Sequence, residues 1–268
     1  MPAIGSNLQQ QILDAVREAG TLSLRWFEGA ERNELSFKGE TDLVTVADRE
    51  VEAFLCRRLH EILPDAGMLG EEGTDTRTPG TRHFVVDPID GTTSFFHGLP
   101  NYGVSVALKD GETTVFGAVY APAFGHMYHA AAGAGAWKNG QPIRVSSAER
   151  LIDALAATGF GCVRARMKPD NLPLFTEAIY RLRGIRRLGA AALDLCLVAE
   201  GKLDLYWEMC VQPWDIAAGM LILREAGGRA TDLAGGDGAE TCKQILASNG
   251  LLHDEFLAIV RRVNGTPG

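Results

Sequence analysis

Asp87-Pro88-Ile89-Asp90-Gly91-Thr92-Thr93 is the stretch from which the chain is read outward. The apolar run Phe84-Val85-Val86 precedes it, and the aromatic pair Phe95-Phe96 follows. An apolar run closed by Pro and Gly predicts a buried strand ending in a turn. The strand end carries two carboxylates. Aimed at one place, they repel unless a proton or cation lies between them. The Ile89 carbonyl between them offers a further, neutral oxygen, and Gly91 lets the backbone approach a ligand closely. A helix beginning near Thr92 points its first N–H groups at an incoming anion. Acids for a hard cation and N–H groups for an anion together predict a metal-assisted phosphate site.

The 268 residues suffice for one large domain or two closely packed ones. With 46% hydrophobic and 22% charged residues the chain is globular rather than disordered. A net charge of −8 argues against a nucleic-acid partner, which would need a basic stripe, and against an anionic membrane surface. No stretch is long and apolar enough to cross a bilayer, and Met1-Pro2-Ala3-Ile4-Gly5 lacks a signal-peptide pattern. Five cysteines (Cys56, Cys162, Cys196, Cys210, Cys242), odd in number and without a C-x-x-C pair, predict a reducing, cytoplasmic setting with thiols as small core residues.

Leu8, Ile12, Ala15, Val16 and Ala19 recur at helical spacing. Lys38 to Asp42 reads as an exposed turn. Thr45 to Asp48 reads as a capping box opening a second helix that Pro64 ends. A strand-rich region follows, with Val104–Leu108 and Thr114–Tyr120 joined at Asp110-Gly111, then Met127–Ala131 and a turn at Asn139-Gly140. Beyond about Ser147 strands and helices alternate: strands near 155–158, 185–188, 204–208 and 245–248, helices near 173–182, 190–199, 217–226 and 253–263. The expected architecture is two sub-domains, 1–147 and 148–268, with a site between them.

Other acids are weaker signals. Glu71 and Glu72 follow Gly70 and alone read as turn acids. Asp48 alone reads as a charge in a helix's first turn. Asp215, in Pro213-Trp214-Asp215-Ile216-Ala217-Ala218-Gly219, stands at a helix start. The small residues after it predict close packing that brings Asp215 up to the other carboxylates. Arg181, Arg183, Arg186 and Arg187 form a basic run that reads as a solvated face or a partner contact.

Taken together and in order, these motifs resemble the inositol monophosphatase family of Mg²⁺-dependent, lithium-sensitive sugar-phosphate phosphatases. Gly70-Glu71-Glu72, Asp87 to Thr93, Trp214 to Gly219 with Glu225-Ala226-Gly227-Gly228, and the segment from Lys38 through Asp48 all match, over nearly the whole chain. The resemblance implies an α+β fold layered as an α-β-α-β-α sandwich, of the inositol monophosphatase and fructose-1,6-bisphosphatase type. It implies two to three Mg²⁺ ions. Glu71, Asp87 and the Ile89 carbonyl would hold one; Asp87, Asp90 and Asp215 a second; Glu71 with waters a weaker third. It gives Asp48, Glu71 and Thr92 catalytic roles, with Asp48 and the Thr92 hydroxyl orienting the attacking water. Gly91 and Thr92 N–H groups would grip phosphate. Asp90, Thr93, Gly189, Ala190, Ala191, Glu208 and Asp215 complete the substrate contacts, Glu208 accepting from substrate hydroxyls. Four carboxylates and two Mg²⁺ balance in charge. A homodimer acting on a small phosphate ester, foremost inositol monophosphate, is implied.

Two positions depart from the family pattern. Ser94 stands where Asn is common, and Ala190 where Ser or Thr is frequent. Both bear on substrate preference rather than on metal ligands. The alternatives within the fold are histidinol phosphate, fructose 1,6-bisphosphate, for which Arg164, Arg166 or Lys168 would have to build a second anion site, and 3′-phosphoadenosine 5′-phosphate. A different class of reading, motivated by the arginine run, is a macromolecule-binding protein with secondary hydrolase activity.

Overall fold

The structure is a computed structural model that describes residues 4–29, 35–37 and 43–265. The expected turn at Lys38–Asp42 and the Thr45 cap side chain lie outside the described residues. The N-terminal helices α1 (Ser6–Glu28) and α2 (Val46–Ile62) bracket a small antiparallel ribbon, β1 (Leu35–Phe37) with β2 (Leu43–Thr45). The first large sheet runs in sequence order: β3 (Gly67–Gly70), β4 (Arg82–Asp90), β5 (Gly103–Asp110), β6 (Thr113–Ala121), β7 (His126–Ala131), β8 (Ala136–Lys138) and β9 (Gln141–Pro142). Only the β3–β4 pair is parallel within it. A single-turn helix, α3 (Thr92–Phe96), leaves the end of β4.

The second sheet has the order β11-β10-β12-β14-β13. Its strands are β10 (Leu155–Thr158), β11 (Gly184–Arg186), β12 (Leu205–Met209), β13 (Arg229–Thr231) and β14 (Gln244–Ser248). Between them run α4 (Gly161–Arg164), α5 (Leu172–Ile179), α6 (Ala191–Ala199), α7 (Pro213–Glu225), α8 (Ala239–Cys242) and α9 (His253–Val263). Among the described residues no helix is long and apolar enough to cross a membrane.

Among the described residues three large apolar cores hold five layers together, with a smaller fourth cluster of Ala47, Ile89, Phe95 and Tyr102. One joins α1 and α2 to the first sheet through Ile12, Val16, Val51, Leu55, Phe84, Val106 and Phe116. The central core packs α6 and α7 between the two sheets. The third seats α5 and α9 on the outer face of the second sheet. The expected α-β-α-β-α sandwich is what forms. β5 is buried along nearly its whole length because helices cover both faces of its sheet. The central layer is thin where small residues allow it. A Cβ on Gly117 of β6 would lie 2.8 Å from the Ala218 carbonyl oxygen, and one on Gly219 would lie 2.7 Å from Leu195 Cβ. The small residues after Asp215 therefore do set α7 tightly against its neighbours.

α9 shows how the outer layer is held. Its apolar face buries Phe256, Leu257, Ile259 and Val260, each contributing about 2 kcal/mol as area removed from water. At its head the fully buried His253 lies between Ser248 Oγ, 2.9 Å from Nδ1, and Thr231 Oγ1, 3.0 Å from Nε2. Thr231 donates its own proton to the Asp232 carbonyl, so His253 Nε2–H donates to Thr231 and Nδ1 accepts from Ser248. That is the neutral tautomer. Burial, with nearby Arg229, pushes its pKa down to about 4. The unfolded chain, with histidine near 6.5, binds the extra proton first. This group's contribution is full above pH 6.5 and is lost as pH falls from about 6.5 to about 4. Urea titrations of wild type and His253→Gln should show the wild type losing more stability over that window. Parallel pH profiles would show that His253 is not the titrating group.

Candidate active site

The site is assembled from the C-terminal ends of β3 and β4 and the heads of α3, α6 and α7. In a regular strand, residues three apart point to opposite faces. Asp87 and Asp90 escape this because β4 bulges between them. Asp87 pairs with Ser105 and Asp90 with Gly103, three steps on β4 against two on β5. The extra residue turns both carboxylates to one end of the sheet. Asp87 Oδ1 accepts the Ile89 N–H at 3.0 Å, tightening the bend. Gly91 then takes φ +93, a left-handed conformation that glycine adopts without strain. A Cβ there would lie 2.8 Å from the Asn101 carbonyl oxygen and 3.0 Å from Ala190 Cβ.

Asp90 ties the first sheet to α6. Its oxygens accept the N–H groups of Ala191 at 2.9 Å, Ala192 at 2.8 Å and Leu193 at 3.4 Å. The N-cap of α6 is Ala190, which has no side-chain acceptor, so a strand-end acid about a hundred residues earlier caps the helix instead. Asp215 sits at N3 of α7 and accepts the Gln212 N–H at 2.7 Å in a capping box. It is both the helix-start acid that its position suggested and a neighbour of the other carboxylates.

Glu71, Asp87, Ile89, Asp90, Gly91, Thr92, Gly189, Ala191, Glu208 and Asp215 line one cleft of about 140 Å³. Asp48, Thr93 and Ala190 do not line it. Asp48 is buried beneath it, and Thr92 Oγ1 lies 3.4 Å from Asp48 Oδ1 and 3.1 Å from the Ile89 carbonyl. Thr93 is exposed. Ala190 lines a neighbouring apolar hollow with Phe124, His126 and Leu188. A larger hollow of about 460 Å³ between α1 and α2 is lined by Asp14, Arg17, Glu18, Arg58 and Glu61, whose exposed charges pair with one another.

The charge state of the cleft follows from burial of like groups. Burial first, then the Asp215 charge, lifts Glu71 to about 8. Burial and then Glu71 and Asp90 lift Asp87 well above the carboxylate range, and the Glu71 and Asp87 carboxyls are hydrogen-bonded to each other. Burial lifts Asp90 to about 7 against the opposing N–H groups of α6, and Asp215 to about 8 against the N–H of Gln212. Glu208 is raised by burial while the Tyr206 hydroxyl, 2.7 Å from its Oε2, works the other way. Without a cation, protons hold this cluster together. Among the described residues no three His, Cys, Asp or Glu side chains stand in ligand geometry about one point. The oxygens of Asp90, Asp215 and Asp87 are turned to backbone N–H groups instead. Each such oxygen keeps a further lone pair, and the donor set is all carboxylate and carbonyl. That chemistry fits a hard divalent ion.

Arg187, Cys210 and Val211 also line the cleft and were not singled out from the sequence as site residues. The basic run splits in the structure. Arg181 pairs with Glu177, Arg183 with Asp153, and Arg186 donates to the Ile185 carbonyl. Arg187 instead folds over Gly189 into the cleft, within electrostatic range of Glu208 and Asp194. Reading the run as one solvated face is therefore corrected for Arg187. Only its place two residues before Gly189 hinted at this. Cys210 takes φ +72, uncommon for a residue with a side chain, as β12 turns toward α7.

Residues 6–264 match the model of the inositol monophosphatase family. An inositol-1-monophosphatase of Rhizobium meliloti is 36% identical over 258 residues, covering 96% of this chain and 97% of that protein. A Thermotoga maritima protein named fructose-1,6-bisphosphatase/inositol-1-monophosphatase is 38% identical over 226 residues, covering 84% and 85%. Among solved structures, the extragenic suppressor protein suhB of Bartonella henselae superposes with a TM-score of 0.89 at 35% identity, covering 96% of this chain and 99% of that one. The chain belongs to the inositol monophosphatase family, a family of phosphoric monoester hydrolases.

Proposed function

We propose that the protein is a Mg²⁺-dependent phosphomonoesterase that hydrolyses inositol monophosphate. The observation that carries this reading is the convergence of Glu71, Asp87, Asp90 and Asp215 in one cleft, with Glu71 and Asp87 close enough to share a proton. In this reading Glu71, Asp87 and the Ile89 carbonyl would hold one ion, Asp87, Asp90 and Asp215 a second, and Glu71 a weaker third. Bound ions lower the pKa of water and offset charge on the phosphoryl oxygens.

The chain's own groups do the rest. Thr92 Oγ1 and Asp48 orient the attacking water and take up its proton. The N–H groups of Gly91 and Thr92, which have no partner within α3, grip the phosphate oxygens, with Thr93 beside them. Glu208, fixed by Tyr206, accepts from hydroxyls of the leaving polyol. Gly189 and Ala191 form the wall facing that polyol, with Ala190 behind them in the neighbouring hollow. The Ala191 N–H is already taken up by Asp90, so it serves as wall rather than donor. The cytoplasmic setting is supported by free Cys56, Cys162, Cys196 and Cys210. The homodimer is supported by the apolar hollow at Phe124, Leu188 and Leu197. Division at residue 147 is supported by the first sheet closing at Pro142 and the second opening at Leu155.

One observation favours a second substrate class. Arg187 makes no side-chain hydrogen bond or ion pair among the described residues, yet it lines the cleft. Its guanidinium, near the Glu208 and Asp194 charges but hydrogen-bonded to neither, suits a second anionic group, as on a sugar bisphosphate, better than Arg164, Arg166 or Lys168, which do not line the cleft.

Phosphate release from inositol monophosphate, histidinol phosphate, fructose 1,6-bisphosphate and 3′-phosphoadenosine 5′-phosphate, with Mg²⁺ and with a chelator, tests both readings. We expect Mg²⁺-dependent turnover fastest on inositol monophosphate. Asp90→Asn should lower it roughly 10³-fold, several kcal/mol of barrier. Full activity in Asp90→Asn would end the proposal, and faster turnover of the bisphosphate would transfer it to the second class.

A stability measurement provides an independent check. The site carboxylates have folded pKa values raised above their unfolded ones, so the folded chain binds more protons over the interval between. Their contribution is complete below about pH 4 and is lost as pH rises through about 8. The cation-free protein should lose Tm through this cluster from pH 5 to pH 8, and millimolar Mg²⁺ should restore it. Asp215→Asn should flatten the loss and remove much of the Mg²⁺ gain. An unchanged pH profile in the variant would refute this account of the cluster.

A further inference from the structure

α2 aims three side chains at four-residue intervals along one face: Asp48, Glu52 and Cys56. Asp48 reaches Thr92. Glu52 is a carboxylate only 4% exposed, and the mechanism above gives it no role. Its oxygens accept the Glu72 N–H at 2.7 Å, the Thr74 N–H at 3.3 Å and the Thr74 hydroxyl at 2.7 Å. These groups belong to the turn that leaves β3 and carries Glu71. The same turn is closed by the Gly70 N–H donating to the Thr74 carbonyl at 2.7 Å. On its other side the Glu71 N–H donates to the Val86 carbonyl at 3.2 Å, just before Asp87. The backbone of Glu71 is thus held between β4 and the Glu52 carboxylate.

Gly70 makes this contact possible. A Cβ there would lie 2.5 Å from Glu52 Oε2 and 2.8 Å from Oε1. Gly70 is not among the positive-φ glycines, so the position needs glycine for room and not for backbone conformation. Two residues on successive elements, α2 and β3, therefore serve one contact, a buried carboxylate seated against the backbone beside Glu71.

We propose that Glu52 is the positioning residue for Glu71, holding its turn so that the Glu71 carboxylate meets Asp87 in readiness for a cation. This rests on the reading of Glu71 as a cation ligand. Hydrogen bonds to an ionised acceptor are stronger than neutral ones, and a buried N–H left without its acceptor is costly. In Glu52→Gln the amide group turns a donor toward one of those N–H groups, so the turn must shift. Gly70→Ala should do the same from the opposite side, with Glu52 intact.

The test is Mg²⁺ titration of the full chain, by calorimetry and by turnover. Glu52→Gln and Gly70→Ala should each bind Mg²⁺ roughly ten-fold more weakly and need correspondingly more of it for half-maximal turnover. At saturating Mg²⁺, kcat should return to within about two-fold of wild type, because no reacting group has been removed. Wild-type Mg²⁺ affinity in variants whose Tm has fallen would overturn the proposal and leave Glu52 a structural residue. If both variants fail to fold, Thr74→Val decides, since it removes only the hydroxyl's contacts, with Glu52 at 2.7 Å and with the Cys56 thiol at 3.6 Å. A few-fold weaker affinity is expected, and an unchanged one overturns the proposal. A wild-type protein that takes up no Mg²⁺ would overturn the proposed function and this inference together, whereas a binding wild type with unaltered variants would overturn the Glu52 role alone.

Discussion

Carboxylates held together out of water are the constraint on which this molecule turns. Glu71, Asp87, Asp90 and Asp215 come from three separate places in the chain, the end of β3, the end of β4 and the head of α7, and meet in a cleft where each raises the proton affinity of its neighbours or is raised by burial. Left to itself such a cluster would fly apart or neutralise. The surrounding layers prevent the first. The β4 bulge, the tight contacts of Gly117 with Ala218 and of Gly219 with Leu195, and the helix heads that receive Asp90 and Asp215 leave the acids no room to separate. Apolar cores on both sides of the first sheet oppose the electrostatic cost.

Much of this was legible before any coordinates. α1 and α9 declare themselves by apolar residues at helical spacing, and α9 spans the same residues that the pattern marks. The hairpin turn at Asp110-Gly111 and the strand at 155–158 follow from local chemistry alone. β3 escaped notice because two of its four residues are glycine and its burial alternates over so short a run. Short β13 and the single-turn α4 and α8 carry too few residues to show a period. α7 begins four residues before the apolar pattern does, since Pro213 and Asp215 mark a helix start rather than a break.

The site was legible in its residue types and obscure in its wiring. An acid at a strand end and an alanine at a helix start give no hint that one caps the other across the chain. Arg187 hid within a basic run whose other members pair with nearby acids or a carbonyl. Glu52 was not singled out, because one sequence does not tell which polar residue of an amphipathic helix faces inward. Cys210 passed as a small core residue, although the turn after β12 sets it at the cleft wall. Local pattern predicts local structure; contacts between distant segments are created by packing.

The cap that Asp90 places on α6 has a consequence for how the molecule comes into being. The acid lies on the first sheet, and the helix it completes begins about a hundred residues later, after β10 and β11 have already been made. A ribosome must therefore deliver both segments before the cleft has a floor. Contacts of such sequence separation are slow to form, because the loop between them must be closed first. A nascent chain that stops short of α6 holds Glu71, Asp87 and Asp90 without Asp215 and has no assembled pocket, so the cleft exists only in the completed tertiary structure and not in either half alone.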